Sequence, residues 1–151
     1  MFNDSKYQTL RIGKNIDKYY NEYIYMTPDF SQPIDDYESL RDLGVIMSSK
    51  GGFQDHITHI ISKVKQKMGW IHRTFLTNNV EFRRFMWVTY IRSNIDYASQ
   101  LWCPLDPIQM SSIESHQRIY TSCSPGLQHI DYWSRLRWFK LTSIERRLQR
   151  Y

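Results

Sequence analysis

The stretch Ile57-Thr58-His59-Ile60-Ile61-Ser62-Lys63-Val64-Lys65-Gln66-Lys67-Met68-Gly69-Trp70-Ile71-His72-Arg73-Thr74-Phe75 decides how the chain is read. Its apolar residues Ile57, Ile60, Ile61, Val64, Met68, Ile71 and Phe75 fall at offsets of 0, 3, 4, 7, 11, 14 and 18. That is the period of one helix face. The spacing predicts a helix that begins near Phe53 and ends at Leu76-Thr77-Asn78. The opposite face carries His59, Lys63, Lys65 and Lys67, so one stripe packs while the other stays solvated or meets an anion.

Downstream, helical signals continue. Asn78-Asn79-Val80-Glu81 has capping-box spacing, in which a side-chain oxygen takes an orphan helix N–H and a Glu reaches back. A second helix is expected there, with Phe82, Phe85, Met86, Val88, Ile91, Ile95 and Ala98 as a broad apolar stripe, a break near Ser93-Asn94, and Arg83 and Arg84 outward. Asp106 as cap and Pro107 at the first helical position open a third helix, which Ser124-Pro125-Gly126 stops. Asp131 caps a last segment rich in aromatic residues, and Thr142-Ser143-Ile144-Glu145 is another capping box.

Upstream of Phe53 the texture differs. Tyr7 to Ile12, Tyr23 to Met26 and Leu43 to Met47 are short β-type runs separated by Gly13, Thr27-Pro28 and Ser48-Ser49-Lys50-Gly51-Gly52. Three such strands form a meander that needs another surface to cover its apolar face. The expected class is therefore α+β, mostly α. A β element over residues 1–49 precedes about four helices over residues 50–151.

Charge divides along the same line. Residues 1–49 hold 5 Lys and Arg against 8 Asp and Glu, whereas residues 50–151 hold 15 against 7. A half this basic, interleaved with Trp and Tyr, suits a polyanion such as nucleic acid; a solvated basic face explains the composition equally well. No run approaches the roughly 18 apolar residues of a spanning helix, so no membrane partner is expected. The first residues lack the pattern of a secretory leader, which favours an intracellular setting. Cys103 and Cys123 do not combine with the five histidines at zinc spacing.

Few residues are candidates for chemistry. Asp35-Asp36 after Ile34 could hold magnesium, but Gln32-Pro33 and Tyr37-Glu38-Ser39 flank the pair with loop residues. His56 and His59, one helical turn apart, lack a third ligand nearby and read as exposed polar residues. Ser111, Ser112 and Ser115 near His116 lack the Gly-bounded elbow of a hydrolase nucleophile. Trp70, Trp87, Trp102, Trp133 and Trp138 could stack bases, yet indoles within apolar stripes usually bury, so core positions are expected.

The order of motifs carries more than any one of them. Phe2-Asn3-Asp4-Ser5-Lys6 and Leu10-Arg11-Ile12-Gly13 come first, then Ser39-Leu40-Arg41-Asp42-Leu43-Gly44-Val45-Ile46-Met47, His56-Ile57 and Gly69-Trp70-Ile71-His72-Arg73-Thr74-Phe75. Ile95-Asp96-Tyr97-Ala98-Ser99-Gln100-Leu101-Trp102, Ile113-Glu114-Ser115-His116-Gln117-Arg118, Asp131-Tyr132-Trp133-Ser134-Arg135-Leu136 and Ser143-Ile144-Glu145-Arg146-Arg147-Leu148 complete the series. Over nearly its whole length the chain resembles the C-terminal part of a non-LTR (LINE-type) retrotransposon reverse transcriptase.

The resemblance implies that residues 1–49 correspond to the end of the palm with its primer-grip strand, and residues 50–151 to the helical thumb and the region after it. The Ala-Asp-Asp motif of the RNA-directed DNA polymerase would lie upstream of Met1, and Asp35-Asp36 falls on the wrong side of Lys6 to be it. The expectation is a fragment of a transposable element's polymerase without catalytic aspartates, inactive alone and with no cofactor of its own, magnesium belonging to the intact enzyme. Lys6 would match the lysine beside the departing pyrophosphate. Lys63, Lys65, Lys67 and Arg73 are the expected phosphate contacts to an RNA–DNA template–primer duplex, with the remaining polymerase domains as further partners. A non-catalytic nucleic-acid-binding module and a structural protein-interaction domain are the alternatives.

Overall fold

A computed structural model describes residues 8–13, 24–27, 30–77 and 79–150. Lys6 and the start of the Tyr7 run lie outside them. The fold is α+β and mostly helical. It comprises two compact units, Met1–His56 and Ile57–Tyr151.

The first unit contains two antiparallel hairpins in place of a three-stranded meander: β1 (Ile24–Thr27) with β2 (Phe30–Pro33), and β3 (Ser39–Asp42) with β4 (Val45–Ser48). The Tyr23 and Leu43 runs contribute β1 and β4, whereas the described part of the Tyr7 run makes only a parallel bridge between Thr9 and Asp36. Strands β2 and β3 are too short and polar to carry a period of their own; pairing makes them strands.

Asp42 pairs with Val45 across a two-residue turn, Leu43-Gly44, with φ of 45° and 86°. Two positive φ values define the mirror-image turn whose twist matches a hairpin. Leu43 therefore lies in the turn, and β4 begins two residues later than the apolar run suggests. His56 corrects a second expectation. It is buried, and its Nδ1 accepts the Ile46 N–H at 3.3 Å, so this contact draws the first turn of the long helix into the first unit.

That helix, α1 (Gln54–Thr74), buries Ile57, Ile60, Val64, Met68 and Ile71. The second helix begins at the capping signal, with Asn79, one residue after the first position of the box, as the cap: its Oδ1 accepts from the N–H groups of Glu81 (2.8 Å) and Phe82 (3.1 Å). It runs as α2 (Val80–Met86), a π turn (Trp87–Ile91) and α3 (Arg92–Asp96). The disturbance thus falls earlier than Ser93-Asn94 and adds a residue to the turn without ending the helix. Side chains supplement the ladder there. Tyr90 O accepts from Asn94 Nδ2 (2.8 Å) and Lys67 Nζ (3.0 Å), and Ile91 O from Asn94 Nδ2 (3.0 Å).

Short α4 (Ser99–Trp102) leads to α5 (Pro107–Ser122), α6 (Tyr132–Trp138) and α7 (Ile144–Leu148). Asp106 and Asp131 cap α5 and α6 as expected; Ser143, one residue after Thr142, caps α7. The last two helices separate because Lys140, at φ 50°, closes α6 with a Leu141 N–H to Leu136 O bond of 2.9 Å and a Lys140 N–H to Arg137 O bond of 3.0 Å. This is the usual left-handed helix end.

Helix α5 is the hub of the second unit, and its buried face sets polar groups among the core residues Met110, Ile113 and Tyr120. Tyr120 Oη donates to Arg83 O (2.8 Å) on α2, and Gln117 Nε2 to Thr142 O (2.9 Å) ahead of α7. Glu114 is 7% exposed, yet both carboxylate oxygens are satisfied: Oε1 accepts from the Tyr132 hydroxyl on α6 and Oε2 from the Glu145 N–H on α7 (3.1 Å). Arg135, also buried, donates to Thr121 Oγ1 at 3.3 Å. Arg147 Nε meets both Asp96 oxygens at 2.9 and 3.0 Å and ties α7 to α3.

These contacts make the turn and the buried phenol testable. Leu43 adopts a backbone that disfavours branched L-residues by about 1 kcal/mol, so Leu43→Asn should raise unfolding free energy by about that amount; a fall in the urea midpoint would refute the turn geometry. Burial pushes the Tyr120 hydroxyl up to about 12, against an ordinary value of 10.0, although Arg83 opposes the shift. The folded state then keeps a proton that the unfolded chain releases, so this stability is full below pH 10 and falls as pH rises through about 12. The thermal midpoint of the native protein should drop more steeply than that of Tyr120→Phe above about pH 10, and parallel curves would count against it.

Candidate nucleic-acid interface

The four cations expected at phosphates do not share one surface. Lys63 and Lys65, two residues apart, project roughly 160° from each other around α1. Lys65 and Arg73 are exposed and Lys63 half-buried. Arg73 lies in the last turn of α1, where a cation complements the helix dipole.

Lys67 is directed into the protein. Its ammonium donates to Tyr90 O (3.0 Å) and Asn94 Oδ1 (3.1 Å) and lies 4.2 Å from the Tyr90 ring centroid. Burial, and then the charge of Lys63, push its pKa down. Its contacts hold α1 to the π turn.

Nor do the tryptophans all pack. Trp87 (0% exposed) and Trp102 (1%) are core residues as expected, with Trp87 stacked on Tyr120 at 4.9 Å and Trp102 Nε1 donating to Tyr97 O at 2.8 Å. Trp70, Trp133 (59%) and Trp138 (63%) are exposed. Helix α6 has only seven residues, so one face suffices to bury Tyr132, Arg135 and Leu136, and the other indoles are left to solvent.

Those two indoles line separate open grooves in the helical unit. One, of about 550 Å³, has Leu136 and Leu141 as its apolar floor, Trp133 and Arg137 on its α6 side, and Arg146 and Gln149 on its α7 side. The other, of about 420 Å³, is lined by Val80, Glu81, Arg84, Trp138 and Lys140. Arg84, Arg137, Lys140 and Arg146 are all exposed. Other cations are employed internally: Arg83, expected to point outward, and Arg135 are buried, and Arg92 and Arg147 pair with Asp96.

The sequence held a signal for the larger groove. Residues 131–151 carry 6 basic against 2 acidic residues, and Trp133 and Arg137 are one helical turn apart. What it lacked was a reason to separate them from Arg135 and Arg147, two neighbours that turn inward.

Asp35 and Asp36 lie exposed between the hairpins. Asp36 Oδ1 accepts from Arg11 Nε at 3.0 Å, and Asp35 lends its carbonyl to Thr9 N–H at 3.1 Å. No group of three His, Cys, Asp or Glu residues converges among the described residues. No chemical step is assigned to the pair. Compared with protein-family profiles, with curated proteins and with solved structures, the chain has no match.

The placement of Lys67 is directly testable. Lys67→Met removes one of the two donors to Tyr90 O and should destabilise the protein by about 0.5–1.5 kcal/mol. Lys65→Met, at an exposed site, should stay within about 0.5 kcal/mol of the native protein. Urea unfolding of the two variants distinguishes these outcomes, and equal stabilities would show that the Lys67 contacts hold nothing together.

Proposed function

We propose that the helical unit grips a nucleic-acid duplex through its phosphates, as the thumb of a non-LTR reverse transcriptase does, and that the chain belongs to such a polymerase without itself supplying the nucleotidyl-transfer carboxylates. The observation that carries this reading is the set of cations left over by the fold. Arg84, Arg137, Lys140 and Arg146 stay exposed around two grooves, each with a solvent-exposed indole. Residues 57–151 hold 14 Lys and Arg against 6 Asp and Glu, a surplus of 8. Asp96 and Glu114 among the acids, and Arg83, Arg92, Arg135 and Arg147 among the cations, are engaged inside the protein, and the exposed remainder is still more basic than acidic.

The resemblance to a reverse transcriptase implies the class of duplex, an RNA–DNA hybrid. Contacts of this kind fix position and not base sequence. A protein-interaction reading has one observation in its favour: Leu101, Leu105 and Ile108 are exposed around the start of α5.

Titration of a labelled RNA–DNA hybrid at several salt concentrations tests the proposal. Four phosphate contacts predict that log K falls against log salt with a slope of about −3 to −4. Arg84→Glu with Lys140→Glu should weaken binding and flatten the slope by about 2. No binding at low salt, or binding without a slope, would overturn phosphate recognition. Robust primer extension on an RNA template by this chain alone would overturn the division of labour.

A further inference from the structure

We infer that the groove between α6 and α7 holds an unpaired nucleotide, so that the protein prefers a duplex with a single-stranded extension to a blunt one. The inference rests on the nucleic-acid reading above and adds which part of the ligand this groove takes.

The geometry begins with Trp133. Its indole lies 5.3 Å from the Tyr132 ring at 52° and remains 59% exposed, backed by a buried neighbour and open to solvent. Stacking on an exposed aromatic ring needs a base whose face is free. Inside a duplex both faces of each base are covered by its neighbours, and a terminal pair is too wide to enter a groove of this size, so the base that lies in it against Trp133 is unpaired. The cavity of about 550 Å³ lies within the range that encloses a small ligand.

Charge complementarity selects the rest of the occupant. Arg137 lies one turn beyond Trp133 on α6, and Arg146 is on the opposite wall. Glu145 is the one acidic residue lining the groove, so the side-chain balance favours an anion. A guanidinium binds phosphate oxygens bidentately. A base over Trp133 with its phosphate between the two arginines matches the lining; a carboxylate-bearing peptide would leave the indole face unused.

The walls are also held in place before any ligand arrives. Glu114 accepts from Tyr132, the residue next to Trp133, and from the Glu145 N–H, the residue next to Arg146. Gln117 anchors the Thr142 carbonyl between them. A groove whose walls are fixed by buried bonds loses little freedom on binding.

The test measures affinity for two labelled RNA–DNA hybrids, identical except that one carries a short single-stranded extension. The intact chain should bind the extended hybrid about tenfold more tightly. Trp133→Ala should bring the ratio of the two affinities close to one, and Trp133→Phe, which keeps a stacking ring, should restore most of it. Arg137→Gln with Arg146→Gln should lower the ratio as well. Equal affinities for the two hybrids, or a ratio that Trp133→Ala leaves unchanged, overturns the inference while the duplex reading stands. If neither hybrid binds, the duplex reading fails, and the extension strand titrated alone decides the groove: Trp133-dependent fluorescence quenching supports it and no quenching overturns it. Saturable binding of an acidic phosphopeptide without preference between hybrids assigns the groove to a protein partner and overturns it too.

Discussion

The helical unit depends on one buried carboxylate. A charge taken out of water is strongly unfavourable unless hydrogen bonds replace its solvation. Glu114 meets that requirement with partners on two other helices, the Tyr132 hydroxyl and the Glu145 N–H. The carboxylate and burial together hold the Tyr132 hydroxyl protonated well above its ordinary range, with burial the larger cause. Because each oxygen is committed to a different element, α6 and α7 are located by the same residue, and the groove between them inherits its shape.

The same logic explains why basic residues that look alike in the sequence behave differently. The π turn adds a residue to the second helix, and Lys67 and Asn94 donate to the carbonyls beside it. Arg83 and Arg135 are buried and donate to neighbouring oxygens. Arg92 and Arg147 converge on Asp96. Arg84, Arg137, Lys140 and Arg146 remain exposed around the grooves, and Lys65, Arg73, Arg118 and Arg150 are exposed elsewhere, so placement as well as composition defines the electrostatic surface.

Local signals were legible in the chain. Asp106 and Asp131 each cap a helix as read, and Asn79 and Ser143 each cap one a residue after the first position of their boxes, because a cap is made by a side chain and the N–H groups two or three residues ahead. The α1 stripe was legible for a similar reason, one face repeating over five turns. The hairpins were only half legible: β2 and β3 have four residues each, and Leu43 was drawn into a strand although it forms the turn. His56 was misplaced as exposed because its partner, Ile46 N–H, lies ten residues upstream in a strand.

The sequence by itself determined the α+β, mostly helical class, the helix starts and the contrast between an acidic first part and a basic second part. These depend on residues within a turn or two of each other, or on simple counting. Tertiary structure alone decided which tryptophans reach solvent, which arginines stay at the surface and where a groove opens. Those outcomes rest on partners far apart in the chain: 31 residues for Glu114 and Glu145, 37 for Tyr120 and Arg83, and 51 for Arg147 and Asp96. No local pattern announces such a pair, because each member satisfies its charge or hydrogen bond only after the helices have packed.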